Sequence, residues 1–294
     1  MRRVAFRLVL PLAVGGALLA GCGSAPVADA PGCPSAEDVA AQLQRYTAVQ
    51  PLPNPPATLT MEAAQCGARK FTAALVASQG RVIGYKAGLT NPMVQQRFGV
   101  SQPIFGVLFE KMMLKDGAEV PASYASRPVL ESDLVVEVAS SAINEAKTPQ
   151  EVLASLKAIY PFIELPDLVV QDPTKITGPT IALINVGARL GVLGAPIPAR
   201  TDAAFADALR DMTVRMTDLT GREINAPKGS AILGHPLNAV VWLAAELKRQ
   251  GRALKPGDML SLGAFASAPV VAGNGVRVSY EGLASNATVS VRFR

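Results

Sequence analysis

Two acidic residues two positions apart, Glu131 and Asp133, lie inside an apolar run from Val129 to Val138. Alternate side chains on a strand share a face, so a strand here would set both carboxylates side by side. Like charges at that spacing repel. The arrangement persists where the acids are solvated, protonated or shared by a cation. A second apolar run, Ile163 to Val170, carries Glu164, which could add a third oxygen. Three carboxylates with no His or Cys nearby suit a hard cation, Mg²⁺ or Mn²⁺. The same spacing is met by an exposed strand whose acids are only hydrated, and spacing alone favours that plainer reading.

The elements that must carry these residues are strand-rich. Val82 to Lys86, Val107 to Phe109, Val129 to Val138 and Ile163 to Val170 read as short strands. Helices are expected over Thr148 to Ile159, Asp202 to Leu219 and Pro236 to Gln250. In the last, Val240, Trp242, Leu243 and Leu247 make an apolar stripe near helical spacing. Lys255-Pro256-Gly257-Asp258 reads as a turn, followed by strands at Met259 to Gly263, Val276 to Tyr280 and Thr288 to Phe293. Upstream, Ser35 with Asp38 has the form of a capping box opening a helix to about Gln50. Four prolines between Pro51 and Pro56 end it, and a second helix runs from about Thr60 to before Gly80. Few βαβ units fit this order, so the class is α+β. Phosphate-binding glycine loops, a nucleophile elbow and an HExxH helix do not occur.

The chain has 294 residues, 49% hydrophobic and 17% charged, enough for a sizeable core and too apolar for disorder. The formal charge is +5, and setting aside Arg2, Arg3 and Arg7 leaves +2. No dense Lys/Arg cluster remains, so nucleic acid is not an expected partner.

Those three arginines precede an apolar run of 13 residues, Leu8 to Ala20. A membrane span needs about 20 residues, so the run suits a secretory signal instead. Leu19-Ala20-Gly21-Cys22 resembles the bacterial lipobox. The resemblance implies cleavage before Cys22, a lipid on its sulfur, and a membrane tether facing the periplasm, with inner and outer membrane both open. The alternative is a plain cleaved signal with a chance Cys. Cys33 and Cys66 remain. An oxidising compartment would pair them, and two separate buried thiols are the other reading. The resulting organisation is a leader over 1–21, Cys22 and a tether over 22–34, a helical arm over 35–57, and a main domain over 58–294.

Gly84-Tyr85-Lys86-Ala87-Gly88-Leu89-Thr90, then Gln95-Gln96 and Gln102-Pro103-Ile104-Phe105-Gly106, resembles the opening block of the 2-keto-4-pentenoate hydratase family. That family belongs to the fumarylacetoacetate hydrolase superfamily, with 4-oxalocrotonate decarboxylases as near relatives. Pro128 to Asp133 is similar to the family's metal strand, and Ile163 to Asp167 to the strand with its third carboxylate. Asn185, Gly194, the stretch Gly234 to Asn238, Trp242-Leu243 and Gly257-Asp258 continue the similarity, which covers about 58–294. The resemblance implies a mixed β-roll and a divalent metal held by Glu131, Asp133 and Glu164. It also implies a small 2-oxo acid as substrate, Lys86 assisting proton transfer or orientation, water addition to a 2-hydroxy-dienoic acid, and a homo-oligomer.

The departures are selective. Asp133 stands where the family has Glu, Ile104 where hydratases carry an Asp, and Val129 and Val169 where Arg is usual. Ile184 and Gly187 flank Asn185 where Asp and Ser are usual. Two readings follow: an enzyme for a differently shaped 2-oxo acid, or a hydratase fold reused for binding or structure in the cell envelope. Among the other candidates, His235, the single histidine, is expected to orient the start of the following helix, Trp242 to belong to the core, and Glu145, Lys147 and Glu151 to form a solvated surface.

Overall fold

Capping residues set where the helices begin. In the computed structural model, which describes residues 29–294, Ser35 Oγ accepts from the Asp38 N–H while Asp38 accepts from the Ser35 N–H. This closed capping box opens α1 (Ala36–Thr47). Thr60 caps α2 (Met61–Gln79) in the simpler way, and Gly80 ends it. The leader and Cys22 lie outside the described residues. Among the described residues, no helix is long and apolar enough to cross a membrane.

Beyond α2 the chain forms β1 (Val82–Gly88), α3 (Pro92–Arg97), β2 (Ile104–Phe109), β3 (Met113–Lys115), β4 (Ala118–Val120) and β5 (Val129–Val138). Then come α4 (Pro149–Leu153), β6 (Leu156–Leu165), α5 (Gly178–Leu183), β7 (Leu190–Leu193), β8 (Ile197–Pro198), α6 (Ala203–Asp211) and β9 (Thr213–Asp218). The last elements are β10 (Glu223–Asn225), α7 (Asn238–Arg249), β11 (Met259–Ser261), β12 (Ala266–Pro269), β13 (Gly275–Glu281) and β14 (Thr288–Phe293).

These strands build two mixed sheets. One runs β2-β1-β11-β5-β6-β7-β3, with β12 also on β5 and β8 also on β6; the other runs β10-β9-β13-β14-β4. The main core takes Leu134, Ile163, Met216, Val278 and Val291 from both sheets, with Phe205 and Leu209 of α6 and Leu243 and Leu247 of α7. A second cluster joins Leu52, Ala64, Ile104, Val170, Ile181 and Val186. The architecture is the expected α+β class.

Two expected helices are shorter than the sequence suggests. The one expected over Thr148 to Ile159 stops at Leu153, and β6 starts at Leu156. Leu156, Ala158 and Ile159 are buried against β5, so pairing with the central strand overrides local helical preference. Pro161 is tolerated inside β6 because the strand's outer partner changes there, from β8 at Ala158–Ile159 to β7 at Phe162–Leu165. The helix expected over Asp202 to Leu219 ends at Asp211. Residues 213–218 alternate half-buried and buried, with Val214, Met216 and Asp218 inward, the period of a strand.

A disulfide joins Cys33 to Cys66 and fastens the residues before α1 to α2. His235 accepts the Leu237 N–H on Nδ1 at 3.1 Å, and its Nε2 lies 3.0 Å from the Ala206 carbonyl oxygen, so it orders the turn that leads into α7 and ties it to α6. Trp242 is half-buried against the main core.

Candidate active site

The site sits where the β5 ladder changes partner. β11 pairs with β5 from Val135 to Glu137, and β12 takes over from Val129 to Ser132. Between them the chain leaves the sheet over 262–265, and Ala264, Phe265, Ala266 and Ser267 wall a cavity of about 390 Å³. Glu131 and Glu164 are register partners across β5 and β6, and both line that cavity. Lys86 lines it from β1.

Lys86 is buried, ion-paired with Glu164, and donates to the Val186 carbonyl at 2.9 Å. Burial lowers its pKa to about 8, against the opposing pull of Glu131 and Asp133. The carbonyl it meets is held by an unusual turn. Asn185 and Val186 both have φ of 54°, the left-handed region that a β-branched residue rarely adopts. The turn is held from the side: the Asn185 amide accepts from the Val107 N–H at 2.7 Å and donates to the Val107 carbonyl at 2.9 Å. It thereby completes the outer edge of β2. Gly88 and Gly106 make room for this approach. A Cβ on Gly88 would lie 2.3 Å from Val186 Cγ1, and one on Gly106 would lie 2.7 Å from the Asn185 backbone carbonyl oxygen.

Asp133 is placed differently. It is fully buried and is not among the residues lining the cavity. Its carboxylate accepts from Ser261 Oγ at 2.5 Å, from the Leu262 N–H at 3.1 Å and from the Leu134 N–H at 2.6 Å. These bonds anchor the point where β11 leaves the sheet. Burial raises its pKa to about 7, even though Ser261, Leu134 and Lys86 favour the charged form. Glu131 is raised too, by burial, with Lys86 opposing. Among the described residues, the oxygens of Glu131, Asp133 and Glu164 do not all come within 4.8 Å of one another. The structure therefore gathers Glu131, Glu164 and Lys86 around one cavity and sets Asp133 behind them.

The donor chemistry fits a hard divalent cation. Two carboxylates face the cavity, and that of Glu131 makes no hydrogen bond among the described residues. Two carboxylates in register repel unless something neutralises them, and a cation would do so. Asp29, Cys33 and Cys66 form the one close cluster of three ligand-type residues among the described residues, and there the sulfurs are committed to the disulfide.

The rest of the cavity wall is mostly apolar, with Leu89, Phe98, Val129, Leu168, Ile181 and Val186; Thr90, Asn91, Arg97 and Ser267 are its polar members. Ile104 is not in the wall. It packs one layer behind, in the cluster that contains Ile181 and Val186. The turn at Asn185 and Val186 is the part of the site that sequence reasoning missed as a functional element, because two left-handed non-glycine residues leave no compositional mark.

The α+β roll places two acids and a buried lysine around one cavity, an arrangement suited to an enzyme active site, and comparison with known proteins identifies the family. The chain is 32% identical over 256 residues to 2-keto-4-pentenoate hydratase 1 of Dechloromonas aromatica, covering 85% of this chain and 94% of that one. It is 34% identical over 193 residues to 2-keto-4-pentenoate hydratase of Paraburkholderia xenovorans, covering 65% and 68%. The chain belongs to the 2-keto-4-pentenoate hydratase family. A search against family models found no match. Among solved structures, 4-oxalocrotonate decarboxylase from Pseudomonas putida, complexed with magnesium and adipate, shares the fold with a TM-score of 0.77 at 23% identity, covering 89% of this chain and 99% of that one.

Proposed function

We propose that this protein is a divalent-metal-dependent hydro-lyase that adds water to a short 2-hydroxy-dienoic acid, giving a hydroxylated 2-oxo acid. The observation that carries the reading is the convergence of Glu131, Glu164 and Lys86 on one cavity, in a chain whose relatives are named hydratases. Glu131 and Glu164 would hold the metal, with Asp133 shaping the site from behind. A bound divalent ion, Mg²⁺ or Mn²⁺, would act as a Lewis acid toward the carboxylate and 2-oxo oxygens of the substrate.

This chain's own residues do the rest. Lys86, with a pKa of about 8, can both take and give a proton near neutral pH, which is what proton transfer at a dienol carbon requires. The Val186 carbonyl and Glu164 fix where its ammonium sits. The apolar wall keeps bulk water from the reacting carbons. Cleavage before Cys22 and lipidation there would tether the enzyme to a bacterial membrane, facing the periplasm. The Cys33–Cys66 disulfide supports that reading, since such bonds persist in oxidising compartments.

The test is thermal melting of the chain from Gly23 onward with Mg²⁺ or Mn²⁺, then with added oxalate or pyruvate. A metal-dependent rise in Tm that grows with oxalate and vanishes in Glu131→Ala is expected. No shift with either ion would overturn the metal-enzyme reading.

A further inference from the structure

The cavity is chemically two-ended. Its inner end holds Lys86, Glu131 and Glu164; its wall is mostly hydrocarbon, with Thr90, Asn91 and Ser267 as polar exceptions; and a fourth charged residue, Arg97, lines it from the last turn of α3. Arg97 is exposed, and its guanidinium lies 5.5 Å from the centre of the Phe98 ring, another wall residue. It has no ion pair or hydrogen bond among the described residues, whereas Lys86 is already engaged by Glu164 and Val186. The short helix that presents it is firmly placed. Asn91 caps it by accepting from the Met93 N–H at 2.9 Å, and the buried Gln95 amide donates to the Leu89 carbonyl at 2.8 Å. Leu89 itself has a φ of 55° and lines the cavity.

We infer that Arg97 is a specificity-determining residue that binds an anionic group at the far end of the substrate, so that the preferred ligand is a 2-oxo acid whose apolar chain ends in a second carboxylate. Leu89, Phe98, Leu168, Ile181 and Val186 offer a chain nothing to hydrogen-bond, which favours hydrocarbon between the two ends. A guanidinium supported on an aromatic face keeps its fork of donors free for a carboxylate. This inference rests on the reading of the cavity as a 2-oxo acid site.

The experiment is isothermal titration of the Mg²⁺-loaded full chain with oxalate, 2-oxohexanoate and 2-oxoadipate, the last two matched in length. The diacid is expected to bind about tenfold more tightly than the monoacid, the size of one charge-assisted bidentate contact. Arg97→Ala and Arg97→Gln should bring the two within about twofold, and Arg97→Lys should keep part of the preference, having the charge without the fork. Oxalate, which has no chain, reports on the inner end in every variant. Equal binding of monoacid and diacid by the wild type, or a preference that survives Arg97→Ala, overturns the role of Arg97 while leaving the 2-oxo acid site standing. Failure of oxalate to bind the wild type overturns that site, and this inference with it.

Discussion

Glu131 and Glu164 stand directly opposite one another across the β5–β6 ladder, and Lys86 reaches Glu164 from β1, on the other side of β11. Like charges in register destabilise a sheet unless something neutralises them. In the metal-free protein that role falls to Lys86. Removing one partner of a buried pair leaves the other charge stranded, at about 3–5 kcal/mol. Lys86→Met alone is therefore expected to lose stability on that scale in urea unfolding, and Lys86→Met with Glu164→Gln to recover much of it. Losses that simply add would show that the two residues are not coupled.

Asp133 and Lys86 give the metal-free protein a particular pH dependence. The Asp133 carboxyl, with a pKa of about 7 against an ordinary 3.8, keeps its proton in the native state where the unfolded chain has released it. Its contribution is full below pH 4 and is lost as pH rises through 7. Lys86 runs the other way: with its pKa lowered to about 8, stability is regained as pH climbs from 8 towards 10.5. Asp133→Asn keeps the shape without the titration. The stability advantage of wild type over this variant should fall between pH 5 and pH 7, by about 1.4 kcal/mol per pH unit at most. Urea midpoints taken at half-unit steps would reveal it, and a flat difference would mean that Asp133 titrates as an ordinary aspartate.

The Asn185 turn should be costly to disturb. Asn185→Ala removes two buried hydrogen bonds and leaves the Val107 N–H and carbonyl unpaired at the edge of β2. A loss of about 2–4 kcal/mol is expected. The same change frees Val186 from its left-handed conformation and shifts the carbonyl that Lys86 binds, so turnover should fall further than stability alone explains. Full turnover in a folded Asn185→Ala protein would separate the turn from the chemistry.

Much of this was legible in the chain, and the gaps have physical causes. Val129 to Val138 reads as a strand because it is one, and the shared face of Glu131 and Asp133 follows from its period. The spacing does not show that Asp133 commits its carboxylate to Ser261, a residue 128 positions away. Thr148 and Glu151 do form the capping box of a helix, yet that helix ends after Leu153 because the next residues are more stable paired to β5. The residues from Thr213 to Asp218 alternate as a strand does, and the preceding helix masked the change of period. Lys86 carried no signal of its own; only the resemblance marked it. Arg97 drew no reading from the sequence, where no helix was expected over 92–97, and its relation to the cavity depends on where α3 is placed.

The disulfide gives a measurement that bears on where the protein works. Cys33 and Cys66 are 33 positions apart, and the loop they close includes all of α1. Constraining a loop of that length in the unfolded chain contributes about 3–4 kcal/mol. The bridge also holds Pro34 against α2, where a Cβ on Gly67 would lie 2.8 Å from Pro34 Cγ and 2.6 Å from Leu183 Cδ1 of α5. That packing matters for the site, since α5 supplies Ile181 to the cavity wall. Reduction with dithiothreitol, or Cys33→Ser with Cys66→Ser, is expected to lower the unfolding free energy by about 3 kcal/mol. It should also weaken oxalate binding by the Mg²⁺-loaded protein, as the α2–α5 layer loosens. Coincident urea curves for oxidised and reduced protein would show that the bridge is dispensable, and with it the structural argument for an oxidising compartment.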